Sequence, residues 1–277
     1  VTVAKRTLQV ACVQLRSGDD VMENVRVASG FIREAAKTGA TFIATPENTT
    51  LMAPDGGAKI EKTFSEADDP ALPLFCKLAA ELKITLMIGS LAIKTSATKT
   101  ANRSFVIDAD GNVKARYDKI HLFDVQLPSG ETYRESNTVE AGHNAVVASL
   151  PWGRVGMSVC YDLRFPHLYR ALAKAGADIL TVPAAFTETT GKAHWHLLLR
   201  ARAVENGCFV MAPAQGGEHA NGRKTYGHSL IIGPWGDILA EGGIEPGIVT
   251  AELDLEEIAA VRGRLPSLHH DRDYDLS

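Results

Sequence analysis

Cysteine is scarce in this chain of 277 residues, and the little there is lies scattered. The four cysteines, at positions 12, 76, 160 and 208, form no CxxC pair. That excludes a disulfide framework stapling so long a chain and offers no thiolate metal knuckle, so each is either a core residue or a reactive thiol. Long apolar runs are missing too. FVMAPA at 209–214 is among the longest, far below the roughly 20 residues a helix needs to cross a bilayer. Charge of one sign is also lacking: 29 Lys and Arg stand against 33 Asp and Glu, a net charge of −4, which implies no basic field for nucleic acid or an anionic membrane surface. The opening VTVAKRTLQVACVQL has polar residues interrupting its apolar stretch and lacks a cleavage signal, unlike a signal peptide. Together these absences predict a soluble, cytoplasmic protein with neither nucleic acid nor membrane as partner.

With 45% hydrophobic and 22% charged residues, the chain can bury a sizeable core. A strand at 8–15, a helix at about 19–38 and a strand at 41–47 open it as strand, helix, strand. A Gly-, Asp- and Pro-containing stretch at 53–70 breaks the pattern before a helix at 72–83 and a strand at 85–93. Strands at 102–108 and towards Lys119 flank the turn DADGN, where Gly111 can take a positive φ. Residues 122–143 hold no apolar period and read as a surface loop that walls a site. A hairpin joins 145–150 to 154–160. Helices from His167 to about Lys174 and from about Gly191 to Asn206 alternate with strands at 177–186 and 208–214, and in the second helix Leu197, Ala201 and Val204 predict one apolar face, with Arg200 and Arg202 pointing elsewhere. A hairpin at 229–241 and a strand at 248–254 follow, with Asp254 placed to cap the last helix. No linker of low complexity divides the chain, so residues 1–277 read as one domain with 266–277 as a polar tail. The expected fold class is α/β, a four-layer α-β-β-α sandwich of two mixed sheets with helices outside both; a single doubly wound sheet is the alternative.

Several site chemistries find no support. Gly56-Gly57, Gly216-Gly217 and Gly242-Gly243 complete neither GxGxxG nor a Walker sequence, and no GxSxG elbow is present. The clusters His194-Trp195-His196 and His269-His270-Asp271 lack HExxH spacing and read as packing or hydrogen-bonding groups. Neither metal nor organic cofactor is therefore expected. Three residues stand apart. Glu47 closes the apolar strand FIATP, Lys119 ends VKARYDK, and Cys160 ends RVGMSVC. Taken singly, these could be a capping acid, a solvated lysine and an inert buried thiol. A sheet fold that aligns strand ends brings all three into one cleft, where their chemistry is complementary. The thiol attacks a carbonyl carbon, the carboxylate accepts the thiol proton and passes it to the departing nitrogen, and the ammonium, with the backbone N–H of Tyr161, holds the oxyanion. An acyl-thioester remains for water to hydrolyse.

At this point the sequence resembles the nitrilase, or carbon-nitrogen hydrolase, superfamily, whose catalytic Glu, Lys and Cys stand in this chain order. The matching text is TFIATPENT around Glu47, ARYDKIHLFD around Lys119 and GMSVCYDLRFP around Cys160, continuing through PAAFTETTGKAHWHLLLRARAVENGCFVMAPAQ and YGHSLIIGPWGDILAE. The resemblance implies the four-layer fold and homodimers, or larger assemblies of them, joined across helices after the cysteine, burying parts of 165–205 and the tail. It also implies a second glutamate, carried onto Glu135 in YRESNTVEAG, which orients Lys119 unless it is only a solvated loop residue. The CYDLRFP form is similar to the branch of small amidases acting on 2-oxo acid amides. Deaminated glutathione is the first expectation for the substrate and 2-oxoglutaramate or 2-oxosuccinamate the alternative, followed by some other amidase or carbamoylase activity. Arg164 then pairs with a substrate carboxylate, or else with Asp162 or a dimer neighbour, and Thr187 and Thr190 are candidates for hydrogen bonds to substrate. A catalytically silent dimeric interaction module is the non-enzyme alternative.

Overall fold

The computed structural model describes residues 6–53, 55–127, 130–220 and 222–276. Numbered along the chain, the elements begin with β1 (Thr7–Gln14), α1 (Val21–Lys37), β2 (Phe42–Ala44), α2 (Gly56–Glu61), α3 (Leu72–Leu82), β3 (Thr85–Lys94), β4 (Thr100–Ile107) and β5 (Val113–Asp118). Then come β6 (Asp124–Gln126), β7 (Thr132–Arg134), β8 (Val139–Glu140), β9 (Val146–Leu150), β10 (Gly153–Met157), α4 (Pro166–Lys174), β11 (Ile179–Thr181) and α5 (Glu188–Asn206). The chain continues through β12 (Phe209–Ala212), β13 (Gly216–Glu218), β14 (Lys224–Tyr226), β15 (Leu230–Ile232), β16 (Ile238–Glu241), β17 (Gly247–Asp254) and α6 (Glu256–Arg264).

Two mixed sheets repeat one plan. The first has the order β17-β1-β2-β3-β4-β5, with β8 paired to β4, and the second β9-β10-β11-β12-β15-β16. In each, three parallel strands form the centre and antiparallel strands flank them. Helices α1 and α3 connect the central strands of the first sheet as α4 and α5 connect those of the second. The strand period of two builds the layers. In β1, Val10 and Cys12 face the core between the sheets, while Ala11 and Val13 face a separate core under α1 and α3. In β2, Phe42 and Ala44 turn to the first core and Ile43 to the second. The result is the expected four-layer α-β-β-α sandwich. No described helix is long and apolar enough to cross a membrane.

Some elements depart from the sequence reading. The strands expected over 41–47, 177–186 and 208–214 stop at Ala44, Thr181 and Ala212, within two residues of Pro46, Pro183 and Pro213, whose missing N–H cannot continue a ladder. The stretch 53–70 contains α2. The expected loop 122–143 holds the β6–β7 hairpin, a helical turn at Glu135–Asn137 and β8, which extends the first sheet beside β4. Helix α5 begins three residues early, and its Leu197–Ala201–Val204 stripe is not a core face: Leu197 and Val204 are 68% and 51% exposed. Trp195, Leu199, Ala203 and Arg202 turn inward instead. Arg202 is drawn in because its guanidinium donates to Leu163 O at 2.8 and 3.1 Å and lies over the Tyr169 ring. The tail folds back onto its own chain, with Asp271 paired to Arg170 and Lys174 of α4. Asp254 does accept from Glu256 N–H at the start of α6, at 3.2 Å.

Candidate active site

Glu47 stands three residues past β2. Its position depends on an unusually close approach between two parallel strands, for Gly89 of β3 lies so near the 45–46 backbone that a Cβ there would sit 2.5 Å from Pro46 O and 2.6 Å from Pro183 Cβ. Asn48, held at φ 55°, donates its N–H to Ser90 Oγ at 2.9 Å and turns the chain away. Gln215, arriving from the second sheet, donates to Glu47 O at 3.0 Å. Lys119 follows β5, where its N–H donates to Asn102 O of β4. Cys160 opens a short helical turn after β10 with φ 49°, a left-handed conformation that is costly for a residue bearing a Cβ. Asp162 fixes that turn: its carboxylate accepts from Val159 N–H, Tyr117 Oη, His121 N–H and His121 Nδ1 between 2.7 and 3.0 Å. The end of β10 is thereby tied to the segment carrying Lys119.

These three residues, from strands of different sheets, line one cavity of about 820 Å³, ample for a small organic ligand. Lys119 Nζ donates to Glu47 Oε1 at 2.9 Å and to Glu135 Oε2 and Oε1 at 2.9 and 3.2 Å. Glu47 Oε2 accepts from Ala185 N–H at 2.9 Å, and Glu135 Oε2 from Phe123 N–H at 2.7 Å. Asn102 Nδ2 bridges the two acids, at 2.9 Å from Glu47 and 3.3 Å from Glu135. Glu135 is thus no solvated loop residue.

Burial works against a charged Glu47, but the charge of Lys119 and its hydrogen bond outweigh it and hold the carboxyl down at about 2. Burial also opposes the Lys119 ammonium, yet Glu135 and Glu47 lift it well above the ordinary lysine value. Burial and the facing Glu47 carboxylate push the Cys160 thiol well up, and Lys119 only partly offsets them. The resting site is a carboxylate, an ammonium and a neutral thiol, so the sulfur needs its proton removed as it attacks. Of the four cysteines, all free, only Cys160 lines the cavity; Cys12 sits inside packed hydrocarbon and Cys208 is buried against Ala177 O and the Arg262 guanidinium, burial raising both thiols, while Cys76 stands on α3, half-buried against the second core.

The remaining expected residues divide. Tyr161 lines the cavity, and as the second residue of a helical turn its N–H has no acceptor within that turn. Thr187 and Thr190 line it too, their hydroxyls 2.8 Å apart. Arg164 stands beside the cavity, not in its wall: its guanidinium lies over Tyr161 and Phe186 and within 3.3 Å of His194 Nδ1. The expected ion pair with Asp162 does not form, because that carboxylate is taken by the four donors named above. The sequence reading missed Asn102, the Ala185 N–H, Lys59, Tyr133 and Arg223. For Asn102 a signal existed, a polar amide inside the buried strand TANRSFVI; Ala185 contributes a backbone N–H that no residue type announces, and Lys59, Tyr133 and Arg223 sit in segments without periodicity. Among the described residues one cluster could hold a metal, His196, His228 and Glu241. It lies outside the cavity wall, and Glu241 Oε1 takes up both imidazoles at 2.9 and 2.7 Å.

Comparison with known proteins places this geometry. The family model for carbon-nitrogen hydrolases matches residues 9–263. A deaminated glutathione amidase of Synechocystis is 43% identical over 265 residues, 94% of this chain and 96% of its own. The omega-amidase of Homo sapiens is 35% identical, with 96% and 95% covered. The crystal structure of the C. elegans NitFhit protein superposes with a TM-score of 0.90 at 35% identity, covering 98% of this chain; this chain spans only 66% of that longer one. Sequence, fold and strand-end placement agree, and the chain belongs to the carbon-nitrogen hydrolase family of the nitrilase superfamily, as an enzyme that hydrolyses amide carbon–nitrogen bonds.

Proposed function

We propose that Cys160 is the nucleophile, Glu47 the general base and acid, Lys119 the oxyanion partner and Glu135 the group that positions Lys119, acting on the amide of a small 2-oxo acid. The observation that carries this reading is the Glu47–Lys119–Glu135 ion network facing a neutral buried thiol in one cavity. Glu47 takes the Sγ proton as sulfur bonds to the carbonyl carbon, and the oxyanion forms against Lys119 Nζ and Tyr161 N–H. Collapse breaks the C–N bond while Glu47 returns the proton to the leaving nitrogen. Water then surrenders a proton to Glu47 and attacks the thioester, and the second collapse releases the carboxylic acid, with the proton going back to sulfur. Because Lys119 is shared between two carboxylates, it stays fixed without collapsing onto the sulfur.

Deaminated glutathione is the proposed substrate, supported by the resemblance over nearly the whole chain and by a cavity whose volume of about 820 Å³ has room for a peptide-like leaving group. Arg164 lies over the Tyr161 and Phe186 rings beside the cavity wall; turned away from His194, it would pair with the 2-oxo acid carboxylate in a bidentate fork, with Thr187 and Thr190 donating to the substrate. The likeness to omega-amidase favours 2-oxoglutaramate as a second reading. We further propose a cytoplasmic homodimer joined over the exposed Leu197–Val204 stripe of α5, which free thiols and an unpaired apolar face both suit. Comparing kcat/KM for the two amides decides the substrate: a tenfold preference for deaminated glutathione is expected, tenfold the other way transfers the activity to the omega-amidase reading, and turnover of neither overturns both. A substrate-dependent mass increase confined to Cys160 is expected in brief incubations; its absence removes the thioester.

A further inference from the structure

Helix α2 forms part of the cavity wall. Asp55 Oδ1 caps it by accepting from Ala58 N–H at 2.9 Å, and Gly56 presses so closely on Thr138 that an added Cβ would meet its Cγ2 at 2.6 Å. The side chain this presents to the cavity is Lys59. Among the described residues its ammonium makes neither an ion pair nor a hydrogen bond, in contrast to Lys119, which both acids hold. The two acids are engaged elsewhere: Glu47 by Lys119, Asn102 and Ala185 N–H, with the Cys160 thiol facing it, and Glu135 by Lys119, Asn102 and Phe123 N–H. Across the same cavity Arg223 donates to Ala185 O at 2.7 Å and lies over the Tyr133 ring.

Burial pushes the Lys59 ammonium below the ordinary lysine value; Glu135 and Glu47 oppose that, and Lys119 and Arg223 add to it. A half-buried cation that lines the cavity with no protein counter-ion in contact is completed by an anion brought with the ligand. Resting on the amide-hydrolase reading above, we infer that Lys59, with Arg223 opposite, is a specificity-determining residue that binds a carboxylate of the amide substrate. The carboxylate sits either on the acyl half or on the departing amine, and the chemistry of recognition is the same. The site therefore selects acidic amides over neutral ones of equal length, and it does so through binding, since Lys59 touches none of the atoms that change bonds.

The test uses the full chain with three amides: 2-oxoglutaramate, with its carboxylate on the acyl half; deaminated glutathione, with one on each half; and pentanamide, with none. Lys59→Met is expected to lower kcat/KM for the carboxylate-bearing amides by about tenfold or more, chiefly through KM, and to change pentanamide less than twofold, while Lys59→Arg restores most of the loss. Loss on both acidic amides assigns the acyl-half carboxylate, and loss on deaminated glutathione alone assigns that of the leaving group. Equal loss on all three amides, or none, overturns the proposal. A calorimetric arm measures the Kd of intact deaminated glutathione in Cys160→Ala with and without Lys59→Met. There a tenfold weakening supports the assignment and an unchanged Kd overturns it, even if the active enzyme turns out to hydrolyse none of the three amides, which would sink the functional reading alone.

Discussion

Cys160 is a neutral thiol at rest, and this decides how the site depends on pH. Glu47, held at about 2, is already ionised as the base throughout the neutral range, and the raised thiol and ammonium stay protonated there. For an uncharged amide, which avoids titration of Lys59, kcat/KM is expected to be flat between about pH 5 and 8. A limb near pH 6 would show that another group supplies the base. The same pairing sets acid stability. The Glu47 carboxyl lies below its unfolded value of 4.5, so its contribution is complete above that pH and is lost as pH falls towards 2. Melting temperature followed through this window should fall less steeply in Glu47→Gln than in the parent. At this scale the candidate residue types were legible in the sequence, because acid, lysine and thiol each ended a strand-like run. Their ionisation was not, since it depends on contacts between residues as far apart as Glu47 and Lys119.

Among the elements, strand ends matter most. Proline stops β2, β11 and β12 early, freeing the following residues to bend into the cleft, where Glu47 and Ala185 meet. Gly89 permits that convergence, because there is no room for a Cβ between β3 and the 45–46 backbone. Gly89→Ala is expected to destabilise the fold by about 1–3 kcal/mol through overpacking, and to lower kcat by displacing Glu47. Denaturant unfolding and single-turnover kinetics measure the two effects; a neutral outcome in both would mean the neighbouring strand yields freely. Strand and helix identities followed from the period of burial. The segment 122–143 did not, because β6, β7 and β8 are too short to show alternation and are stabilised by pairing with each other and with β4. The inward face of α5 was misread for a related reason: Arg202 buries its charge only because Leu163 O and Tyr169 receive it.

For the whole molecule, the two sheets repeat one order and close face to face, which brings ends from both halves to one cleft. Outside, Val204 of α5 lies against Gly236 of the β15–β16 hairpin, and Leu197 and Val204 of the helix and Trp235 and Leu239 of the hairpin are all at least 42% exposed. Exposed apolar side chains of this kind suit an interface, and the symmetric pairing proposed above would place them against their own copies. Val204→Asp is expected to convert a dimer into monomers in sedimentation velocity while leaving the melting temperature of the isolated protomer within a few degrees, about the effect of a surface change. A parent protein that already sediments as a monomer would remove the proposed assembly.

By itself the sequence determined the alternation of strands and helices and pointed to the class of chemistry, because both are written in local order: apolar periods of two and of about 3.6, and a reactive side chain at the end of a strand; whether the strands form one sheet or two was settled only by their long-range pairing. Tertiary structure alone decided which thiol faces the cavity, which lysine is shared between two acids and which lysine lines the cavity with no ion pair among the described residues. Cys12 and Cys160 both end up buried, and only the register of two separate sheets distinguishes the one packed in hydrocarbon from the one facing a carboxylate. Charge state and accessibility are set by what surrounds a group in space, and the residues that surround these come from distant stretches of chain.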